Sequence, residues 1–205
     1  MHTSGTNTNF ANLVTNGNFK SDSLVGSHGG MTPDGWVQAG EHVHVRRPIT
    51  NDAVIEPKSY GVKSSETIEI YKYNEQSLSM DLKTKPRASI YQTVPNLVVG
   101  RVYKVSYAVW SNGPVEGEEN GWSNGMLNVF QGQWPNEAAL PKVTTSMGTG
   151  GLRLTPPSSD AWHTVSGLIE ATTSTLTLAI SVEKGRSAYI GNVSVVTYTT
   201  QPVGK

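Results

Sequence analysis

The sequence predicts an all-β sandwich or barrel, and three observations predict it. Helical periodicity is almost absent, alternation of period two recurs along the chain, and Gly/Asn/Pro clusters interrupt it at short intervals. The alternation is cleanest over Arg101–Trp110, where Val102, Lys104, Ser106 and Ala108 fall on one face and Tyr103, Val105, Tyr107 and Val109 on the other. Successive side chains of a strand point to opposite sides, so this pattern means a strand with one face in a core. Thr175–Glu183 repeats it, with Leu176, Leu178, Ile180 and Val182 inward and Thr175, Thr177, Ala179 and Ser181 outward. Further strands are predicted over 41–47, 66–72, 76–82, 88–94, 125–131, 151–155, 162–170 and 187–197. Pro33-Asp34-Gly35, Ser111-Asn112-Gly113-Pro114 and Thr149-Gly150-Gly151 supply turns between them. A single helical turn is predicted near Asn136–Leu140.

Composition bounds what such a domain does. A chain of 205 residues buries a core without covalent staples, and with no cysteine it has no disulfide, thiolate metal site or cysteine nucleophile. Residues 1–11 are polar and aperiodic and read as an extended arm, 12–198 as one domain, and 199–205 as a tail. Sixteen basic and sixteen acidic residues give a net charge of zero, whereas a duplex-binding protein carries a basic excess to neutralise phosphates. Nucleic acid is therefore not an expected partner. The start, Met1 to Asn9, lacks the basic and apolar regions of a secretion signal, and no apolar run approaches the roughly 20 residues of a spanning helix. The expectation is either a chain made and used inside a cell, as a virion protein assembled in the host cytoplasm is, or an extracellular domain whose signal and neighbouring domains have been trimmed away; no membrane partner is expected.

Motifs that would carry catalysis have better structural readings. Gly121-Trp122-Ser123-Asn124-Gly125 matches the G-x-S-x-G pattern, but a nucleophile elbow needs a helix after the serine, and none is predicted. Glu116, Glu118 and Glu119 share one loop, whereas glycosidase carboxylates flank the bond from separate elements. His42 and His44 share a strand face without a third ligand in view, so no metal site is expected. Asn192-Val193-Ser194 is a glycosylation sequon on a strand predicted to be buried.

Three ordered segments resemble a known family. They are Asn12-Leu13-Val14-Thr15-Asn16-Gly17-Asn18-Phe19 followed by Pro33-Asp34-Gly35-Trp36; Ser89-Ile90-Tyr91-Gln92-Thr93-Val94 followed by Gly100-Arg101-Val102-Tyr103-Lys104-Val105-Ser106-Tyr107; and Ala188-Tyr189-Ile190-Gly191-Asn192-Val193-Ser194-Val195. Their order resembles the carbohydrate-binding modules of the galactose-binding-like jelly-roll superfamily, in particular xylan- and glucan-binding modules. The resemblance covers roughly 12–197 and implies a jelly-roll sandwich of two antiparallel sheets. It also places Trp36 and Trp162 as structural tryptophans of the core, while Phe19 and Trp36 read from the residues themselves as core-facing anchors of the opening loop. A structural calcium belongs to the resemblance, but Lys20 after Phe19, and Gly191-Asn192 in place of an aspartate, withdraw hard carboxylate oxygens that calcium wants, so no cofactor is expected, with a retained structural calcium as the alternative.

The remaining aromatics are candidate binding residues, because sugar CH faces stack on Trp and Tyr while hydroxyls need fixed amides. Trp110 falls on the polar phase of its strand, Trp122 and Trp134 lie in the Gly- and amide-rich stretch with Gln131 and Gln133, and Tyr71 and Tyr73 end another strand. These seven residues are read as a carbohydrate site or a subunit interface. The expected function is non-catalytic: a virion surface component, such as a bacteriophage capsid decoration (cement) or tail-associated protein. Its expected partners are other virion proteins or a polysaccharide, and it is expected to form a homo-oligomer. The alternative is an extracellular carbohydrate-binding module of a secreted polysaccharide-degrading enzyme.

Overall fold

The computed structural model describes residues 10–20, 33–39, 43–46, 67–72, 88–111, 125–133, 150–157, 161–182 and 187–199. Ten strands are described: β1 (Val37–Ala39), β2 (Val43–Arg46), β3 (Thr67–Lys72), β4 (Ala88–Val94), β5 (Val102–Ser111), β6 (Met126–Gln131), β7 (Leu152–Leu154), β8 (His163–Glu170), β9 (Leu176–Val182) and β10 (Ser187–Thr197). They form two antiparallel five-stranded sheets, the first in the order β1-β4-β9-β6-β7 and the second in the order β2-β3-β10-β5-β8. The chain passes repeatedly from one sheet to the other, and the result is a jelly-roll sandwich with no helix among the described residues.

The core lies between the sheets and follows from the alternation. Tyr103, Val105, Tyr107 and Val109 of β5 are buried, facing Ile90 and Val94 of β4 and Leu176, Leu178 and Ile180 of β9. Full burial of each large aliphatic side chain contributes roughly 1.5–3 kcal/mol. The Tyr107 hydroxyl is placed to donate to the carbonyls of Gly125 (3.0 Å) and Leu154 (3.1 Å), which ties β5 to the ends of two strands of the opposite sheet. Burial pushes this phenol well above its usual range, so it stays a neutral donor.

The opening segment is held by side-chain amides rather than by a regular ladder. Asn12 donates through Nδ2 to the Val193 carbonyl (2.9 Å), and its Oδ1 accepts from the Val14 and Val195 amides (3.1 and 3.0 Å). The Leu13 amide donates to the Val195 carbonyl and the Val193 amide to the Gly17 carbonyl. The segment thereby continues along β10 beyond Gly191, the last residue of β10 paired with β3. There β10 slips register against β5 between Gly191 and Ser194, and Asn192 at the bulge takes a left-handed φ of 50°. Phe19 is buried against Trp36 with ring centroids 5.5 Å apart, as expected of two anchors of the opening loop.

Most predicted strands match the described ones within a residue or two at each end. Three readings change. β1 has three residues, too few to show alternation, and was not predicted. On β9 the inward phase is as read, but Thr177, Ala179 and Ser181 on the outward phase are buried as well, so this central strand is covered on both faces. Asn192 of the sequon is exposed, because the bulge turns it off the buried phase that Val193 keeps. The predicted strand 76–82, the turn at 136–140 and most of the arm and tail lie outside the described residues.

Candidate functional site

The outward face of the second sheet collects aromatic and uncharged polar side chains in one place. Register fixes it: Trp110, Ala108 and Ser106 of β5 pair with Tyr189, Gly191 and Ser194 of β10, and Ala108 and Ser106 also pair with Thr164 and Ser166 of β8. The Trp110 and Tyr189 rings meet edge to face, with centroids 5.3 Å apart and planes at 68°. Tyr189, Ala108 and Trp162 form a buried cluster separate from the inter-sheet core, and half-buried Trp110 packs against it. Trp162 is therefore buried, as read, but on the outside of the second sheet rather than in the core.

Ala108 links this cluster to a surface pocket of about 320 Å³. The polar lining is Asn12 and Asn18 from the opening segment, Ser106 from β5, Thr164 from β8, and Asn192 and Ser194 from the bulge. No lining residue is ionisable. The Ser106 and Ser194 hydroxyls are 2.7 Å apart and share a hydrogen bond, which orients both on the pocket floor. Asn12 is committed to the backbone of the opening segment and β10, so it shapes the wall. Asn18, Asn192 and Thr164 are exposed and present amide and hydroxyl groups to anything held there.

The structure divides the candidates read from the sequence. Trp110 belongs to this face, and Tyr71 on β3 pairs with Ser187, in phase with the Glu69–Tyr189 pair of the same sheet. Gln131 ends β6 in the opposite sheet, where it braces loops: Nε2 donates to the carbonyls of Gly150 (3.0 Å) and Glu170 (2.8 Å), and Oε1 accepts from the Thr172 amide (2.9 Å). Gln133 is exposed just beyond it, so the glutamines and Trp110 do not form one site. Trp122, Trp134 and Tyr73 lie outside the described residues. Reading aromatic residues alone missed Tyr189, whose phase along 187–191 would have signalled it. The asparagines come together only through the bulge and the opening segment.

Other chemistry finds little footing. Gly125, the last residue of the G-x-S-x-G match, leads into strand β6 and not into a helix. Among the described residues no group of three His, Cys, Asp or Glu side chains is placed to hold a metal.

No family model matches this sequence, and no curated protein matches it. Solved structures match it in fold. The enzymatically active domain of bacteriophage CBA120 tailspike protein 4 superposes with a TM-score of 0.54 at 12% identity, covering 91% of this chain and 21% of that one. The module TmCBM61, solved with β-1,4-galactotriose, gives 0.50 at 11% identity, covering 92% of this chain and 99% of that one. The arabinose-bound α-L-arabinofuranosidase MgGH51 gives 0.51 at 11% identity, covering 93% and 27%. This chain thus spans about a fifth of the tailspike and nearly all of the module. Identity this low makes the likeness one of fold, and the fold is the jelly roll of carbohydrate-binding modules.

Proposed function

We propose that this chain is a non-catalytic carbohydrate-binding domain whose ligand lies on the outward face of the second sheet. The carrying observation is the half-buried Trp110, braced edge to face by the buried Tyr189, beside an uncharged pocket of amides and hydroxyls. An aromatic ring stacks on the apolar face of a pyranose, while Asn18, Asn192 and Thr164 match its hydroxyls as donors and acceptors. The pocket volume falls at the lower end of small-ligand sites, enough for a short stretch of glycan. An uncharged lining favours neutral sugars over uronates. TmCBM61, a sugar-binding module of about this length, supports the reading.

Within that function we favour a place on a virion surface, as a tail-associated or capsid-decorating protein. The observation favouring it is that the tailspike domain shares this fold over most of the chain. The other setting, a module of a polysaccharide-degrading enzyme, has the arabinofuranosidase on its side. The flanking genes separate the two: structural virion genes support the first and overturn the second, and glycoside hydrolase genes do the reverse.

The binding claim is tested by a glycan array followed by calorimetry on the best neutral oligosaccharide. Trp110→Ala is expected to weaken binding at least about tenfold, the equivalent of ~1.4 kcal/mol, in a protein that still unfolds cooperatively. Binding unaffected by Trp110→Ala and Asn192→Ala moves the site elsewhere. No neutral glycan bound at millimolar concentration removes the function.

A further inference from the structure

We infer that the outer edge of β8 docks a second copy of this chain, β8 against β8 and antiparallel, so that two second sheets join into one ten-stranded sheet. The inference stands apart from the glycan reading and starts from how the four sheet edges are protected. β1, β2 and β7 are edge strands of three, four and three residues, and shortness alone keeps such edges from templating another chain. β8 is an edge strand of eight residues. Its sequence, His163-Thr164-Val165-Ser166-Gly167-Leu168-Ile169-Glu170, holds no proline and no lysine. Its pairing with β5 runs unbroken from Val109–His163 to Val102–Glu170, so no bulge twists it away. Among the described residues no strand pairs with its other edge. Apart from Glu170 at its very end, it carries none of the sequence devices with which proteins blunt an exposed edge.

Around the end of this strand, exposed apolar side chains stand beside the exposed Arg101, Lys104 and Glu170. Leu168 is 48% exposed on β8 itself. Val98 and Val99, 51% and 61% exposed, sit on the turn whose Gly100 amide donates to the carbonyl of Ala171, the residue after β8. Exposed Tyr198 lies at the same end, its amide bonded to the Val102 carbonyl opposite Glu170.

The occupant that fits is another copy, because β8 is polar in a self-complementary sense. It has histidine at one end and glutamate at the other. An antiparallel pair about Gly167 sets Glu170 of each copy opposite Thr164 of the other, next to His163, and holds the two carboxylates at opposite ends. The same register puts Leu168 opposite Ser166 and Val165 opposite Ile169, keeping like faces together. A net charge of zero adds no long-range repulsion between copies.

Light scattering behind size exclusion, over a concentration series, tests this. The wild type is expected to move from the 22.1 kDa chain mass to twice that mass as concentration rises. Leu168→Lys and Val99→Lys, both at exposed positions and so compatible with folding, are each expected to raise the dimer dissociation constant tenfold or more. Amide exchange in β8 is expected to slow with concentration in the wild type only. A wild type that stays monomeric to millimolar concentration overturns the proposal. So does a dimer, or a larger oligomer, that neither variant weakens. Glycan binding by the monomeric variants is measured separately, so loss of one property leaves the other standing.

Discussion

Gln92 does more for this fold than its place on a strand suggests. It is buried on β4, its Oε1 accepts from the Thr15 amide (2.8 Å), and its Nε2 donates to the Thr15 and Gly35 carbonyls (2.9 and 2.7 Å). One amide thus satisfies three backbone groups on two loops that have no ladder partner of their own. An unpaired buried polar group costs about 1–3 kcal/mol, so Gln92→Leu, similar in volume but unable to bond, is expected to destabilise the domain by roughly 2–4 kcal/mol. For a chain of this size that is a fall in melting temperature of roughly 4–16 °C by scanning calorimetry. A smaller change would mean that water replaces the amide. The sequence resemblance included Gln92 among its residues but could not say what it holds, since its partners stand 57 and 77 positions away. Trp110 was legible for the opposite reason: its polar phase is set by β5 alone, one strand read against itself. Trp162 looked like core because burial and membership of the inter-sheet core are indistinguishable in a single sequence.

At the scale of elements, strands with one buried face could be read and elements built from side-chain bonds could not. β5 and β9 display the period of two that burial of one face demands, and their inward residues are those of the core. The opening segment has no such pattern, yet it organises the pocket by delivering Asn12 and Asn18 to it. It runs tight against the sheet at Gly17, where an added Cβ would collide with the Val193 carbonyl oxygen. That carbonyl also accepts from Asn12, and the Val193 amide donates back to Gly17, so neither side can retreat without breaking a bond. Gly17→Ala is therefore expected to cost about 1–3 kcal/mol or more, as overpacking against a fixed backbone does. Because the same shift moves Asn18, glycan affinity is expected to fall with stability, in contrast to Gln92→Leu, whose contacts are with Thr15 and Gly35. Urea unfolding and calorimetry on both variants check this. A Gly17→Ala protein with wild-type stability would mean that the opening segment docks more loosely than its bonds imply.

The order of strands within each sheet is a property of the whole chain, and it decides what the candidate site is. β10 joins β3 to β5, so the last strand of the sequence stands at the centre of the second sheet and brings Tyr189 to Trp110. No local pattern predicts that neighbour. The same order leaves β8 at the edge, with the pocket residue Thr164 on it, so a β8–β8 dimer would carry two pockets on one continuous face. Two sites facing one way make binding to a surface of repeated glycans an intramolecular second step, and its gain depends on effective concentration and not on new contacts. Below the dimerisation concentration, where the partner's Glu170 does not stand opposite Thr164, the wild type and Leu168→Lys are thus expected to bind a soluble oligosaccharide with the same affinity in calorimetry. On a densely glycan-coated biosensor surface, above the dimerisation concentration, the wild type is expected to dissociate at least about tenfold more slowly, short of the roughly 10²–10⁴ gain that well-matched linked sites reach. At low glycan density the two curves are expected to converge, because neighbouring sugars then lie beyond the reach of one dimer. Equal dissociation at every density would mean that the two pockets do not face one surface, and the dimer, if formed, would have another purpose than adhesion.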